Sequence, residues 1–379
     1  MKKLVYCCLT ILLFCCKDKY DAPVNVPVTG YLVIEGYIST NGPAELQLSR
    51  SIPLDDTAKM INETLAQVRL QGRDNTTYNF IENGGGRYTI SNLNLNTNQQ
   101  YRLYIKSKSG KEYASDYVSP RVAPPIDSVA WIRENNGGVQ IYVNTHDPKN
   151  NTWYYRWTTE ETWEFHSTYY TSLDFARNSD NRIIGIKYRR PDQGVDTRIY
   201  TCWANQLSTS LILGSSKKLS IDSIHKPLIY IEPRSWKLSV LYSVLVKQYA
   251  LTKEEYEFLD KMKKNSEETG SFFGRQPSEL KGNIQCITTP SEPVIGFIGI
   301  ANRQEKRLWI KRSELPNWNY TQDCYTYTVL TDSAEYYSYL MPTNTVEYEN
   351  GKIKYYLGVS PVCVDCTLRG INVKPSFWP

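Results

Sequence analysis

The chain has 379 residues, enough for two or three domains, because single hydrophobic cores rarely grow beyond roughly 250 to 300 residues. Hydrophobic residues make up 41% and charged residues 22%, a composition that excludes a disordered chain and a protein of many membrane spans. The net charge of +5 is small and no run of Lys and Arg forms a basic stripe, which argues against nucleic-acid binding. The 30 tyrosines favour a body made mainly of β-strands.

The N-terminus has the features of a secretory signal peptide. Lys2 and Lys3 precede an apolar run over residues 4–16, and polar sequence starts directly after it. This run of about 13 residues is shorter than the roughly 20 residues that a membrane-spanning helix needs. We therefore predict that residues 1–15 are a leader that is removed on export.

The end of that leader predicts a lipid anchor. Residues 13–16, Leu-Phe-Cys-Cys, resemble a lipobox, in which cleavage leaves an acylated cysteine as the new N-terminus. We predict this cysteine to be Cys16, because cleavage before Cys15 would place the bulky Phe14 next to the cut. A plain secretory leader with incidental cysteines is the alternative. Several acyl chains hold a protein durably at a membrane, so residues 16–27 are predicted to be a lipidated tether.

Residues 28–119 alternate between apolar and polar side chains with a period of two. Leu32 and Ile34 share one side of a first strand, and Leu46 and Leu48 share one side of the next. Clusters of Gly and Asn separate the alternating segments, as turns do between antiparallel strands. This pattern predicts a mainly β fold that starts with a small immunoglobulin-like or transthyretin-like β-sandwich.

A proline-rich connector over residues 120–126 is predicted to separate the sandwich from a larger β-rich domain, residues 127–379. Proline stiffens the backbone and removes hydrogen-bond donors, which suits a short link between two sheets. One clear helix is predicted in the second domain, near residues 252–266. Thr252 and Glu255 form a capping box there, ahead of apolar residues at helical spacing.

Export to an oxidising compartment makes the remaining cysteines candidates for disulfide bonds. Five cysteines follow Cys16, so at least one of them does not pair within the chain. The Cys-Val-Asp-Cys motif at residues 363–366 would be half of a zinc site, but the chain has no second such motif, which favours cross-linking of the C-terminus. The spacing leaves the pairing open, and no cofactor is predicted. The candidates for disulfide bonds are Cys202, Cys324, Cys363 and Cys366.

A cluster of aromatic residues between positions 153 and 170 is the candidate contact site for a ligand or partner. Rings with polar tips stack on sugar rings or anchor protein partners, since they supply a large contact area at low entropic cost. Packing inside a core or between domains is the alternative interpretation. The candidate contact residues are Trp153, Tyr155, Trp157, Trp163 and Phe165.

A set of short segments, spread over the mature chain, carries a family resemblance. The most specific are Asp-Cys-Thr-Leu-Arg-Gly at residues 365–370 and Pro-Ser-Phe-Trp-Pro at residues 375–379. Together the segments resemble the family called domain of unknown function 4249, lipoproteins of the Bacteroidota outer membrane. Ile371 departs from the second glycine that the family tends to have, which affects a local turn and not the membership. Further segments are the lipobox with Cys16, the helix at Thr252 and residues 31–36, 42–43, 46–50, 242–246, 270–273, 276–278, 282–283 and 296–298.

The resemblance implies a lipid-anchored protein of the outer membrane, exposed at the cell surface, with a TonB-dependent transporter as its partner. It implies neither a reaction nor catalytic residues. The sequence itself contains no nucleophile, metal or nucleotide-binding motif, so we expect a protein that is not an enzyme. The leading hypothesis is an accessory subunit that helps the transporter to capture its ligand, a glycan or a peptide. The alternative is a surface glycan-binding module that uses the aromatic cluster, and a surface hydrolase is a third class.

Overall fold

The computed structural model describes residues 30–52, 61–190, 197–268 and 280–379. Strands hold 50% of the residues and helices 9%, which confirms the mainly β fold. The predicted leader, Cys16 and the tether lie outside the described residues. Within the described ranges, no helix is both long and apolar enough to cross a membrane.

The N-terminal part folds as short strands joined by tight turns. Its strands are β1 (Leu32–Ser39), β2 (Asn41–Arg50), β3 (Ile61–Asn62), β4 (Gln67–Gly72), β5 (Thr77–Asn79), β6 (Ile81–Glu82), β7 (Arg87–Asn94), β8 (Tyr101–Lys106) and β9 (Glu112–Ser115). The turn between β6 and β7 requires glycine. Gly86 has a φ of 75°, and a Cβ atom there would lie 2.3 Å from the Leu48 carbonyl oxygen.

Two sheets built from these strands enclose one core, as in a β-sandwich. One sheet has the order β1-β2-β7-β6 with β3 on β2, and the other has the order β9-β8-β4-β5. Apolar residues face each other across paired strands, such as Ile34 with Leu48 and Leu70 with Leu103, and all four are buried. The alternating sequence pattern is therefore explained by this core. The immunoglobulin-like or transthyretin-like connectivity stays a prediction.

The rest of the described chain contains further strands and the α-helix. They are β10 (Ile126–Arg133), β11 (Val139–His146), β12 (Tyr154–His166), β13 (Leu173–Arg177), β14 (Ile183–Tyr188), β15 (Thr201–Leu207), β16 (Ile212–Ser215), β17 (Ser223–Ile231), β18 (Leu241–Ala250), α1 (Lys253–Glu268), β19 (Ile284–Cys286), β20 (Val294–Gly296), β21 (Ile300–Ala301), β22 (Arg303–Lys311), β23 (Tyr327–Leu330), β24 (Met341–Glu349) and β25 (Lys352–Val359). Single 3-10 turns lie at Trp236–Leu238, Arg312–Glu314, Thr331–Ser333, Pro361–Cys363 and Cys366–Leu368.

Two of these sheets form a second sandwich. A three-stranded sheet, β10-β11-β17, faces a larger sheet of order β15-β12-β18-β22, in which β16 also pairs with β12. The core between them contains Val143, Tyr155, Trp157, Tyr242 and Val244, none of which has exposed surface. Burial of this much apolar surface supplies the main driving force for the second domain to fold.

The boundary predicted between residues 28–119 and 127–379 is wrong for one stretch of the chain. After α1 the chain returns to the first sandwich, where β19 pairs with β9, and β20 and β21 pair in parallel with β1. Ile284, Val294 and Ile300 are buried in the first core. Local alternation predicts such strands but not their partners, because these pairs join residues that are far apart in the sequence.

The predicted helix is present, and it lies where the two sandwiches meet. The Thr252 hydroxyl oxygen accepts a hydrogen bond from the Glu255 N–H at 3.1 Å, as the predicted capping box requires. Phe258 on the apolar face of α1 is buried in a cluster with Leu213 of β16 and with Phe297, which follows β20. The helix therefore contacts elements of both sandwiches.

A third, smaller core lies between the hairpin β13-β14 and the sheet β23-β25-β24. Phe175 of the hairpin and Val329 and Tyr356 of the sheet are buried in it. We call this unit, residues 173–188 and 325–359, the tyrosine lobe. Eight of the 30 tyrosines of the chain lie in its second segment.

Candidate binding surfaces

Most of the aromatic cluster predicted to contact a ligand lies inside the protein, which corrects that prediction. Tyr155 and Trp157 have no exposed surface, Phe165 exposes 1% and Trp163 exposes 4%. All four side chains face the core of the second sandwich, because alternate positions along β12 point to the same face. Core packing, the alternative interpretation, accounts for these residues.

Hydrogen bonds within the core satisfy the polar tips of two of these rings. The Trp157 Nε1–H donates to Gln248 Oε1 at 2.8 Å, and the Gln248 amide donates to the Pro124 carbonyl oxygen, also at 2.8 Å. The Tyr155 hydroxyl donates to Asp222 Oδ2 at 2.9 Å. The two rings stack with their centroids 5.7 Å apart. These polar groups therefore stabilise the core and are occupied there.

The remaining residues of the predicted cluster divide between core and surface. Trp163 and Phe165 pack edge-on against Trp236, with ring centroids 5.1 and 4.8 Å from its ring. Trp153 is only half-buried, and the Lys217 ammonium group lies 5.0 Å from its ring centroid. Of the five candidate contact residues, Trp153 alone keeps part of its ring at the surface.

All four candidate cysteines form disulfide bonds. Cys202 pairs with Cys366 and Cys324 pairs with Cys363, with Cα atoms 5.7 and 5.9 Å apart. Cys286 is buried and unpaired, which accounts for the odd number of cysteines after Cys16. The first bond ties the C-terminal segment to β15. The second joins the segment before β23 to the segment after β25, at the base of the tyrosine lobe.

The tyrosine lobe presents exposed aromatic surface that we had predicted elsewhere in the chain. Tyr336 is 85% exposed, Tyr339 is 64% exposed and Tyr337 is 39% exposed. The rings of Tyr337 and Tyr339 lie with their centroids 6.2 Å apart. Grouped exposed apolar surface marks interaction sites on soluble proteins. Other exposed tyrosines of the lobe are Tyr188, Tyr325, Tyr327 and Tyr348.

Polar contacts connect this exposed surface to the neighbouring hairpin of the lobe. Arg182, next to β14, makes a two-pronged contact with Glu335, in which Nε donates to Oε1 at 3.0 Å and Nη2 donates to Oε2 at 3.3 Å. The hydroxyl groups of Tyr188 and Tyr348 lie 3.0 Å apart. The hairpin and the sheet of the lobe are therefore joined by polar contacts as well as by their shared core.

A second candidate site is a crevice where the two sandwiches meet α1. Its volume of about 320 Å³ lies at the lower end of the range for small-molecule sites. Arg156 of β12 forms part of its wall, and we call it the Arg156 crevice. Its other lining residues include Ile34, Leu211, Phe258, Met262 and Phe297.

Arg156 carries a buried polar atom without a partner. Its Nε atom has no hydrogen-bond acceptor among the described residues, and such buried orphans are rare. The residue faces away from the core of the second sandwich and lies directly opposite Tyr249 of β18. The ring of Tyr37 from β1 meets the Tyr249 ring edge-on at 4.2 Å. Side chains from both sandwiches therefore meet beside Arg156.

Glu255 of α1 is a buried carboxyl group at the same junction. A Cβ atom at Gly299 would lie 2.2 Å from Glu255 Oε1, so the carboxyl group occupies space that only a glycine leaves open. Burial raises the pKa of Glu255 to about 7, and the charge of Arg156 and a hydrogen bond from the Thr252 backbone offset only part of that rise. The carboxyl group is therefore partly protonated at neutral pH.

The exposed tyrosines and Arg156 were not singled out in the sequence. The sequence does contain a signal for the exposed tyrosines. Tyr336, Tyr337 and Tyr339 are too closely spaced for all three to lie on one face of a strand. Arg156 leaves no such signal, because a single arginine in a strand is ordinary. Within the described ranges, no three His, Cys, Asp or Glu side chains come together as a metal site would require.

A known family matches most of the chain. The family described as domain of unknown function (DUF4249) matches residues 17–307. The chain belongs to this family. The match confirms the resemblance to this family and covers both sandwiches as far as residue 307, inside β22. It ends before the exposed tyrosines of residues 325–348.

Two solved structures that align with the chain do so with low TM-scores. An alignment with a chitinase from Bacillus thuringiensis, at 11% identity, covers 52% of this chain and 29% of the chitinase, with a TM-score of 0.15. An alignment with the adhesin InvE of Yersinia pseudotuberculosis, at 10% identity, covers 86% of this chain and 73% of the adhesin, with a TM-score of 0.17. At these scores neither likeness supports an inference. No curated protein matches the sequence significantly.

Proposed function

We propose that the protein is a lipid-anchored, non-enzymatic accessory subunit that docks on a TonB-dependent transporter of the outer membrane and helps it to capture a ligand. The observation that carries the proposal is the exposed group Tyr336, Tyr337 and Tyr339. Tyrosine is enriched at the energetic centres of protein interfaces, because its ring buries a large area and its hydroxyl still finds a partner. The tyrosine lobe is the docking surface in this proposal.

Two features of the sequence support the place and the kind of partner. The lipobox with Cys16 supplies an anchor, and the family resemblance implies a TonB-dependent transporter. Anchoring both proteins in one membrane raises their effective concentration, so that docking needs little intrinsic affinity. A small surface of a few exposed rings is then sufficient.

Co-purification from membranes that contain the tagged full-length chain tests the proposal. We expect the double variant Tyr336→Ala/Tyr339→Ala to recover about tenfold less transporter, because two interface tyrosines that each contribute about 1 kcal/mol change affinity by at least that factor. The control Leu219→Ala/Tyr230→Ala removes two exposed side chains outside the lobe and should leave recovery unchanged. Absence of a transporter in the wild-type sample, or equal recovery with both variants, contradicts the proposal.

A glycan-binding module is the second candidate, and the exposed rings of the tyrosine lobe favour it over the buried residues of β12. Aromatic faces stack on sugar rings as readily as they pack against proteins. A glycan array with the wild type and the same two double variants separates the candidates. Glycan binding that only Tyr336→Ala/Tyr339→Ala abolishes, without a co-purified transporter, supports the glycan module.

A further inference from the structure

We propose that the Arg156 crevice binds a medium-chain carboxylate, with its carboxylate at the Arg156 guanidinium and its hydrocarbon chain along the apolar wall. The proposal assigns a ligand class to the capture role above and rests on that role. It depends on a different part of the molecule from the docking surface, because the crevice lies between the sandwiches and α1 and none of its lining residues belongs to the tyrosine lobe.

The wall of the crevice suits a hydrocarbon chain. Phe258 and Met262 come from one face of α1, Ile34 comes from β1, and Phe297 closes the space beside Phe258 at a ring-centroid distance of 5.7 Å. Each methylene group that moves from water into such surroundings improves affinity about fourfold. At about 30 Å³ per water-sized unit, a volume of 320 Å³ accommodates roughly ten non-hydrogen atoms, the size of octanoate.

The charges at the crevice select an anion with a single negative charge. Of the described residues that line it, Arg156 and Glu35 are charged, and Glu35 is exposed whereas the Arg156 Nε atom is buried. A carboxylate beside the guanidinium would accept charge-assisted hydrogen bonds from it, and such bonds are the stronger kind. A phosphate carries up to about two negative charges and would find no second cation among the described residues that line the crevice.

The neighbouring acid does not cancel this positive charge. Glu255 lies close enough for the charge of Arg156 to affect its pKa, which burial nevertheless raises. A partly neutral Glu255 offsets only part of the guanidinium's charge. A bound carboxylate supplies a counter-ion, which is the complementarity that a buried arginine requires.

Photo-crosslinking of the full-length protein in membranes tests the assignment, with octanoic acid that carries a diazirine as the probe. We expect labelled peptides from α1 and β20, at least about tenfold more labelling than with the matching alcohol, and a loss of labelling of similar size in Arg156→Gln. Unlabelled octanoate should compete about 15-fold better than hexanoate, because it has two more methylene groups.

A matched control and a second variant keep the test decisive. Arg303 lies on the same face of the sheet, opposite Tyr249, but outside the crevice, so Arg303→Gln should label like the wild type. Met262→Trp fills the crevice from α1 and should block labelling even if Arg156→Gln fails to fold. Equal labelling by acid and alcohol, labelling at other peptides, or no labelling of the wild type overturns the proposal. None of these outcomes affects co-purification of a transporter, so the two proposals fail separately.

Discussion

Replacing Glu255 by glutamine is expected to flatten the pH dependence of the free energy of unfolding. The carboxyl group is buried with a pKa of about 7, whereas its ordinary pKa is 4.5. Below pH 4.5 the folded and unfolded chains both hold the proton. As the pH rises from 4.5 towards 7, the unfolded chain releases the proton while the folded chain keeps it. Stability therefore falls over this window and levels off above it.

The size of the effect follows from the same two pKa values. One pKa unit corresponds to about 1.4 kcal/mol, so the wild type should lose about 3 kcal/mol between pH 4.5 and pH 8 through this group. That loss is a large share of the roughly 5 to 15 kcal/mol that stabilises a typical domain. Glu255→Gln has no titrating group at this position, so its stability relative to the wild type should rise by about 3 kcal/mol across the window.

Urea unfolding at several pH values between 4.5 and 8, followed by tryptophan fluorescence, measures this difference. Glu257→Gln is the matched control, because Glu257 lies on the same helix with a 55% exposed side chain and pairs with Lys253 at 3.7 Å. Its difference from the wild type should stay nearly constant with pH, since exposed pairs contribute little. A difference curve for Glu255→Gln that is as flat as the control curve would refute the reasoning.

Two further predictions concern the residues that were nominated from the sequence. Trp157→Phe removes the N–H that satisfies Gln248 Oε1 in the core, so we expect a loss of about 1–3 kcal/mol in urea unfolding and no change in any glycan-array signal. A binding loss without destabilisation would restore the surface interpretation. Replacing both Cys324 and Cys363 by serine opens a loop with a sequence separation of 39, and the loop-entropy relation predicts a cost of about 4 kcal/mol, measured as a lower urea midpoint. An unchanged midpoint would show that the bond does not stabilise the fold.

Most of the correct predictions about the fold came from two features of the sequence, the period-two alternation of the strands and one helix cap. Leu32, Ile34, Leu46 and Leu48 are buried as their spacing requires, since a strand sends alternate side chains to one face. The capping box at Thr252 worked for the same reason, because the hydrogen bond that defines it joins residues three apart. Features set by neighbouring residues are visible in a single sequence.

Pairings between distant residues were not visible in the same way. Val294 lies opposite Leu32 in a parallel pair, and Ile284 lies opposite Ser115 in an antiparallel one. Their strands, β19 and β20, are three residues long, so the alternation of apolar and polar residues in them is too short to predict which strand they pair with. The first sandwich therefore includes strands from a segment that follows α1. The chain passes between the two sandwiches more than once, and the proline-rich connector marks only one of these passages.

The prediction of a contact surface at residues 153–170 was wrong for a physical reason that is visible in the sequence. Tyr155, Trp157 and Phe165 alternate with polar residues along β12, and strict alternation is the pattern of a buried face. Tyr336 and Tyr337 are adjacent, so a strand could not bury both on one face. Aromatic content alone suggested a contact surface at β12. The periodicity of the residues would have assigned β12 to the core and the segment with Tyr336 and Tyr337 to the surface.

The tyrosine lobe is also cross-linked in a way that would lower the entropic cost of the proposed docking. The Cys324–Cys363 bond joins the chain just before β23 to the chain just after β25, so the sheet is cross-linked at its base. Arg182 of the opposite hairpin contacts Glu335, directly beside Tyr336, although this exposed pair contributes little by itself. A surface that is already held in its binding geometry loses less conformational entropy when a partner binds. In the proposed complex, the exposed rings would therefore convert more of their buried area into affinity than the same residues would on an untethered loop.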